Sequence, residues 1–197
     1  MTSSHRNINR RPSHRSRFAR QQHQSNRSGT RRLLFSALGG AAGTTAMDIL
    51  LFHRYQRSGG TQGPLEWEFS SGVEKWTDVS APGLVGKRLL EGFLGHEVPD
   101  RWARSVQNLT HWATGIGWST QFGLLTGATR RSSWAWGLVL GPSVWLAGYV
   151  VLPAAKIYKP LWEYDATTLV KDLSAHLVYG VTTGAIVAAF ANALPGE

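Results

Sequence analysis

An uncharged stretch of 22 residues, 132–153, constrains the fold of this chain more than any other feature. Its sequence, SSWAWGLVLGPSVWLAGYVVLP, is rich in Leu, Val, Gly and Trp. A helix needs about 20 apolar residues to cross the hydrocarbon core of a bilayer. The stretch therefore predicts a transmembrane helix. A buried helix in a large soluble domain is the weaker interpretation, because 197 residues of this composition offer little to bury it in.

Three further segments complete a set of four predicted spans. Residues 33–52 carry Asp48 as their only charge, and residues 173–194 hold His176 near their start. Residues 105–127 are the weakest candidate, because His111 and several amides are costly in lipid unless they face protein. The sequence thus predicts an all-α integral membrane domain over residues 33–197, a bundle of four transmembrane helices at about 33–52, 105–127, 132–153 and 173–194.

Arg31 and Arg32, directly before the first span, leave a second interpretation open. A twin-arginine pair before an apolar segment resembles an export signal. Such a signal should end at a small-residue cleavage site followed by a soluble domain. Here a bulky run over residues 49–52 and further apolar segments follow, which favours a membrane span.

The positive charge of the chain is concentrated in its N-terminal tail. Of 21 basic residues, nine Arg lie in residues 1–32, which hold no acid, and the other 12 are balanced by 12 acidic residues. Such a composition buries too little apolar surface to offset its ordering entropy, so we expect a disordered tail. Its expected partners are anionic lipid headgroups on the cytoplasmic side. Nonspecific nucleic-acid binding is the less favoured alternative, because no folded nucleic-acid module follows.

The distribution of Arg and Lys around the spans predicts an orientation. The short 128–131 link carries Arg130 and Arg131, whereas residues 54–104 and 154–172 are charge-balanced. By the positive-inside rule, both termini and the 128–131 link are cytoplasmic and the two balanced connections lie outside. We therefore expect a multi-pass protein of the bacterial inner (cytoplasmic) membrane.

The outer connection, residues 54–104, contains one clear pattern. Residues 81–94 predict an amphipathic helix after an N-cap at Ser80, with Pro82 in its first turn. Its apolar face could lie in the membrane interface or pack on the loop itself. That face comprises Val85, Leu89, Leu90, Phe93 and Leu94.

Small residues four apart recur in the predicted spans. Gly39 and Gly43 stand in the first, and Gly137 and Gly141 in the third. Such pairs let helix backbones approach closely, so either face is a candidate for homo-oligomer contact. The second and fourth spans both carry a His four residues before a Gly, which suggests two related helical hairpins.

Three ionisable side chains, Asp48, His111 and His176, are expected at a similar depth near the outer side of the bilayer. An ionisable residue in a span is a functional hypothesis, and His titrates near neutral pH. The set predicts a proton-responsive or cation-binding cluster, with polar ties between helices as the alternative. The sequence contains no HExxH, P-loop or G-x-S-x-G motif, so we predict no catalytic residues, no metal site, no cofactor and no enzymatic activity.

Several segments resemble a group of uncharacterised bacterial, especially actinobacterial, membrane proteins, the YagU-like group. The resemblance covers roughly residues 37–190 and omits the basic tail. It implies a small multi-span inner-membrane protein without an established activity, and it supplies no catalytic residues. The segments that carry it are 46–48 (AMD), 81–88 (APGLVGKR), 108–112 (NLTHW), 149–153 (YVVLP), 158–165 (YKPLWEYD) and 171–180 (KDLSAHLVYG).

Two functions follow from these features. The first is a non-enzymatic membrane protein whose helix bundle binds or passes a proton or a small ion through Asp48, His111 and His176. The second is a structural or partner-binding membrane module that uses the basic tail and the 54–104 loop as docking surfaces.

Overall fold

The computed structural model describes residues 14–126 and 134–193, with side chains over 29–125 and 134–193. All regular secondary structure in these residues is helical, which confirms the all-α prediction for this part of the chain. The helices are α1 (His14–Arg57), α2 (Pro64–Glu68), α3 (Ala81–Leu94), α4 (Ala103–Thr126), α5 (Gly137–Ala154) and α6 (Ala166–Ala193). Short 3₁₀ turns precede α4, α5 and α6.

Three helical segments of the described chain are long and apolar enough to cross a membrane: Gly29–Arg57, Trp134–Ala154 and Ala166–Ala193. They correspond to the first, third and fourth predicted spans. The second predicted span lies in α4, which has 24 residues but is less apolar. Residues 128–131, on which the predicted orientation depends, lie outside the described residues.

The helices that contain the first and last predicted spans begin earlier in the chain than those spans. α1 starts at His14 and so overlaps the tail expected to be disordered, while residues 1–13 lie outside the described part. α6 starts at Ala166 because Asp165 caps it: its carboxylate accepts the backbone N–H and the hydroxyl of Thr168 at 2.9 and 2.7 Å. An acidic N-cap satisfies N–H groups that have no partner within the helix.

Among the long helices, α1 packs on both α4 and α6, α5 packs on α6, and a smaller contact joins α4 to α5. α1 and α6 are antiparallel: Phe35 near one end of α1 stacks on Phe190, and Arg54 near its other end bonds Ser174. α1 and α6 are thus the central helices.

Glycines allow the close contacts of α6. A β-carbon at Gly137 or Gly141 would overlap the carbonyl of Gly180 or of His176, and one at Gly43 would overlap the Thr183 hydroxyl. Both predicted glycine pairs therefore face α6 of the same chain. Homo-oligomer contact through them stays a prediction.

The connection between α1 and α4 folds as a cap with its own small core. Trp76, Val98, Ala103 and Val106 are buried together, and the Trp76 indole N–H donates to the carbonyl of Val98 at 2.7 Å. α3 lies on α4 through Gly83 and Gly86, where a β-carbon would overlap side chains of α4. This cap stands over the C-terminal end of α1 and the N-terminal end of α4, which it connects.

Candidate functional site

Asp48 and His111 form a direct pair between α1 and α4. His111 Nε2 lies 2.9 Å from Asp48 Oδ2, and the Asp48 side chain is 4% exposed. With the proton on Nε2, the imidazole donates to the carboxylate. A buried carboxylate needs such a partner, because an isolated charge is very costly away from water.

A ladder of small residues brings these two side chains together. Each step of four residues along α1 meets a step of four in the opposite direction along α4, since residues i and i+4 share a helix face. Gly40 lies against Ser119, Thr44 against Gly115, and Ser36 accepts the Ser119 hydroxyl at its carbonyl at 2.5 Å. Asp48 and His111 are the next facing pair in this series, and they are a polar pair instead of small residues.

Glu68, at the end of α2, is the third ionisable group of the site. Its Oε1 is buried and makes no hydrogen bond within the described residues. The neighbouring Trp112 indole favours the ionised carboxylate. Burial, and then the neighbouring Asp48 carboxylate, raise the pKa of Glu68 above its ordinary value. The Glu68 carboxyl therefore holds a proton more tightly than an exposed glutamate does.

A cavity of about 400 Å³ opens over the pair, beneath the cap. Its walls come from α1, α4 and the 62–80 segment. None of the described residues that line it is Lys or Arg, so His111 supplies the basic group. The lining residues are Asp48, Leu51, Gln62, Trp67, Glu68, Ser70, Gly72, Val73, Asp78, Ser80, Gln107, Asn108 and His111.

His176 belongs to a different place in the fold. Its Nδ1 donates to the backbone carbonyl of Asp172 at 2.9 Å and lies 3.4 Å from the Asp172 carboxylate. Tyr149 is a neighbour of the same carboxylate, and its ring packs against those of Tyr158 and Tyr164. Burial, and then Asp172, raise the pKa of Tyr158 to about 12. The protein thus has two separate carboxylate–histidine pairs, Asp48–His111 between α1 and α4 and Asp172–His176 within α6.

Of the three predicted site residues, the structure brings Asp48 and His111 together and pairs His176 with Asp172 instead. Glu68 and Asp172 were missed. Asp172 could have been found four residues before His176, a spacing that places two side chains on one helix face. Glu68 gives no comparable signal, because its position depends on the turn after α1.

No group of three or more His, Asp or Glu side chains in residues 29–125 and 134–193 is arranged to hold a metal ion. The Asp48–His111 pair can instead exchange a proton or attract a small cation. Comparisons with known protein families, curated proteins and solved structures found no match to this chain.

Proposed function

We propose that this chain is a small four-span protein of the bacterial inner membrane whose Asp48–His111 pair binds and releases a proton or small cation at the outer end of the bundle. The observation that carries the proposal is the 2.9 Å contact between His111 Nε2 and Asp48 Oδ2. A histidine paired with a buried carboxylate beside a cavity is a group that external pH can charge or discharge.

The assignment of α4 as a span, the second in chain order, is supported by which of its side chains are buried and which are exposed. Its polar Gln107 and Ser119 are buried against protein, whereas Leu109, Leu124 and Leu125 are exposed. A helix of 24 residues is about 36 Å long, enough to cross the hydrocarbon core. Part of its low mean apolarity comes from residues that face α1 and α3, where polar groups find partners; the exposed Gln121 donates its amide N–H to the Gly117 carbonyl of its own helix.

The orientation with both termini in the cytoplasm rests on the nine Arg of residues 1–32 and on Arg130 and Arg131. It places the cap and the cavity on the outer side. The basic tail then meets anionic lipid headgroups of the inner leaflet. Membership of the YagU-like group and homo-oligomer contact through the glycine faces remain predictions of the sequence.

The proposal is tested in proteoliposomes that contain a pH-sensitive dye. After an acid pulse outside, wild-type protein should change the rate at which the lumen acidifies, and Asp48→Asn and His111→Asn should remove this effect. His96→Asn is the matched control, because His96 is exposed in the cap and hydrogen-bonds the adjacent Glu97 carbonyl. Unchanged behaviour in both site variants would end the ion-handling proposal and favour the structural or partner-binding module.

A further inference from the structure

The carboxylates around the cavity differ in the hydrogen bonds that they accept from the protein. Asp78 Oδ2 accepts the backbone N–H groups of Glu74 and Lys75 at 3.3 and 3.1 Å, and its other oxygen accepts the Thr77 hydroxyl. Asp78 therefore stabilises its own loop. Glu68 is different, because its buried Oε1 has no hydrogen-bond donor among the described residues.

Two of the three amide side chains that line the cavity, Gln107 and Asn108, direct N–H donors away from Glu68. The Gln107 amide N–H donates to the Ser80 hydroxyl at 2.7 Å, and that of Asn108 donates to the carbonyls of Phe69 and Arg104 at 3.0 and 2.9 Å. These donors are thus used within the protein, while a carboxylate acceptor is left over. A ligand that completes this site must bring hydrogen-bond donors and positive charge, since an unpaired buried acceptor is costly.

We propose that the cavity binds a small organic ammonium ion, which donates N–H groups to Glu68 and is balanced in charge by Glu68 and Asp48. The proposal rests on the ion-handling role of the Asp48–His111 pair and names its ligand class. The volume of about 400 Å³ lies in the range of small-molecule sites. Trp67 is one of the lining residues, and an indole ring attracts cations; the described side chains form no three-ligand group for a metal ion.

The experiment titrates the full-length protein in nanodiscs with methylammonium and follows the indole N–H signal of Trp112, a neighbour of the Glu68 carboxylate. Methanol, a neutral molecule of similar size, and Na⁺, an inorganic cation, are the comparison probes. We expect a saturable shift with methylammonium, no saturable shift with methanol, and a weaker response to Na⁺. Glu68→Gln should weaken methylammonium binding about ten-fold or more, the loss expected for one charge-assisted hydrogen bond.

Glu97→Gln is the matched control, because Glu97 is an exposed acid of the cap outside the cavity; its binding should equal that of the wild type. Absence of a saturable shift, equal binding by Glu68→Gln, or tighter binding of Na⁺ would each overturn the ammonium site. The proteoliposome response of Asp48→Asn and His111→Asn is a separate readout. If that response is present and methylammonium fails to bind, the ligand assignment alone is wrong; if the reverse holds, the proposed function alone is wrong.

Discussion

The hydroxyl of Tyr179 on α6 donates a hydrogen bond to the backbone carbonyl of Gly115 on α4 at 2.6 Å. It joins α6 to α4, which pack on neighbouring faces of α1: Gly43 lies against α6 and Thr44 against α4. A β-carbon at Gly43 would lie 2.6 Å from the Tyr179 carbonyl oxygen and 3.0 Å from its ring. Gly43 thus lets α6 approach α1 closely, next to the face of α1 that carries Thr44 and Asp48 against α4.

Gly43→Ala should lower the free energy of unfolding by about 1–3 kcal/mol, the usual cost of inserting a methyl group into a packed interior. Thermal unfolding in detergent, followed by tryptophan fluorescence, measures the loss. Gly117→Ala on α4 is the matched control, since nothing lies within 4 Å of a β-carbon at that position. If the two variants have the same midpoint, the close approach of α1 and α6 at Gly43 is incorrect.

Glu68→Gln should stabilise the protein at pH 7 but not at pH 4. Because the pKa of Glu68 is raised in the folded state, the unfolded chain ionises first as pH rises above 4.5, the ordinary pKa of a glutamate. The wild type therefore loses stability between that pH and the folded-state pKa, and a neutral Gln removes the loss. The gain at pH 7 should stay below about 1 kcal/mol, because Glu68 is only partly buried.

Unfolding midpoints at pH 4 and pH 7 test this prediction, with Glu97→Gln as the exposed control. A Glu68→Gln variant that is less stable than the wild type at pH 7 would show that the Glu68 carboxylate is favourably paired.

The orientation can be tested by cysteine labelling, because the chain contains no Cys. Glu74→Cys, at an exposed position of the cap, should react with a membrane-impermeant maleimide in intact cells. Ala128→Cys, in the predicted cytoplasmic link, should react only after the membrane is permeabilised. The opposite pattern would invert the proposed topology.

Phe93 of α3 should lie in the outer membrane interface. It is 95% exposed, and Leu89 and Leu94 on the same helix are 67% and 54% exposed, while Gly83 and Gly86 hold the other face of α3 against α4. A spin label at Phe93→Cys should be more accessible to oxygen than to a water-soluble nickel complex. A label at Glu74→Cys should show the reverse, and equal aqueous exposure at both sites would place α3 in water.

The sequence alone does not predict which face of a helix a residue occupies. Asp48, His111 and His176 were expected at a similar level. Only the packing register of α1 on α4, set by small residues such as Thr44 and Gly115, selects His111 as the partner of Asp48. His176 lies on α6, and its partner is Asp172, four residues earlier on the same helix.

Glu68 could not be predicted as a site residue. It lies in a polar connection whose path depends on tertiary contacts: Tyr55 accepts the backbone N–H groups of Thr61 and Gln62 at its hydroxyl, and its ring lies 6.2 Å from that of Trp67. These contacts fold the chain back over α1 after its last turn. The three most apolar spans, by contrast, followed from length and hydropathy alone.

The most direct test of the central claim is the pH titration of the His111 imidazole by NMR, in wild-type protein and in Asp48→Asn. If Asp48 and His111 act as one protonation unit, loss of the carboxylate should move the His111 midpoint and leave that of exposed His96 unchanged. An identical His111 midpoint in both proteins would contradict the account, since the two groups would then titrate independently.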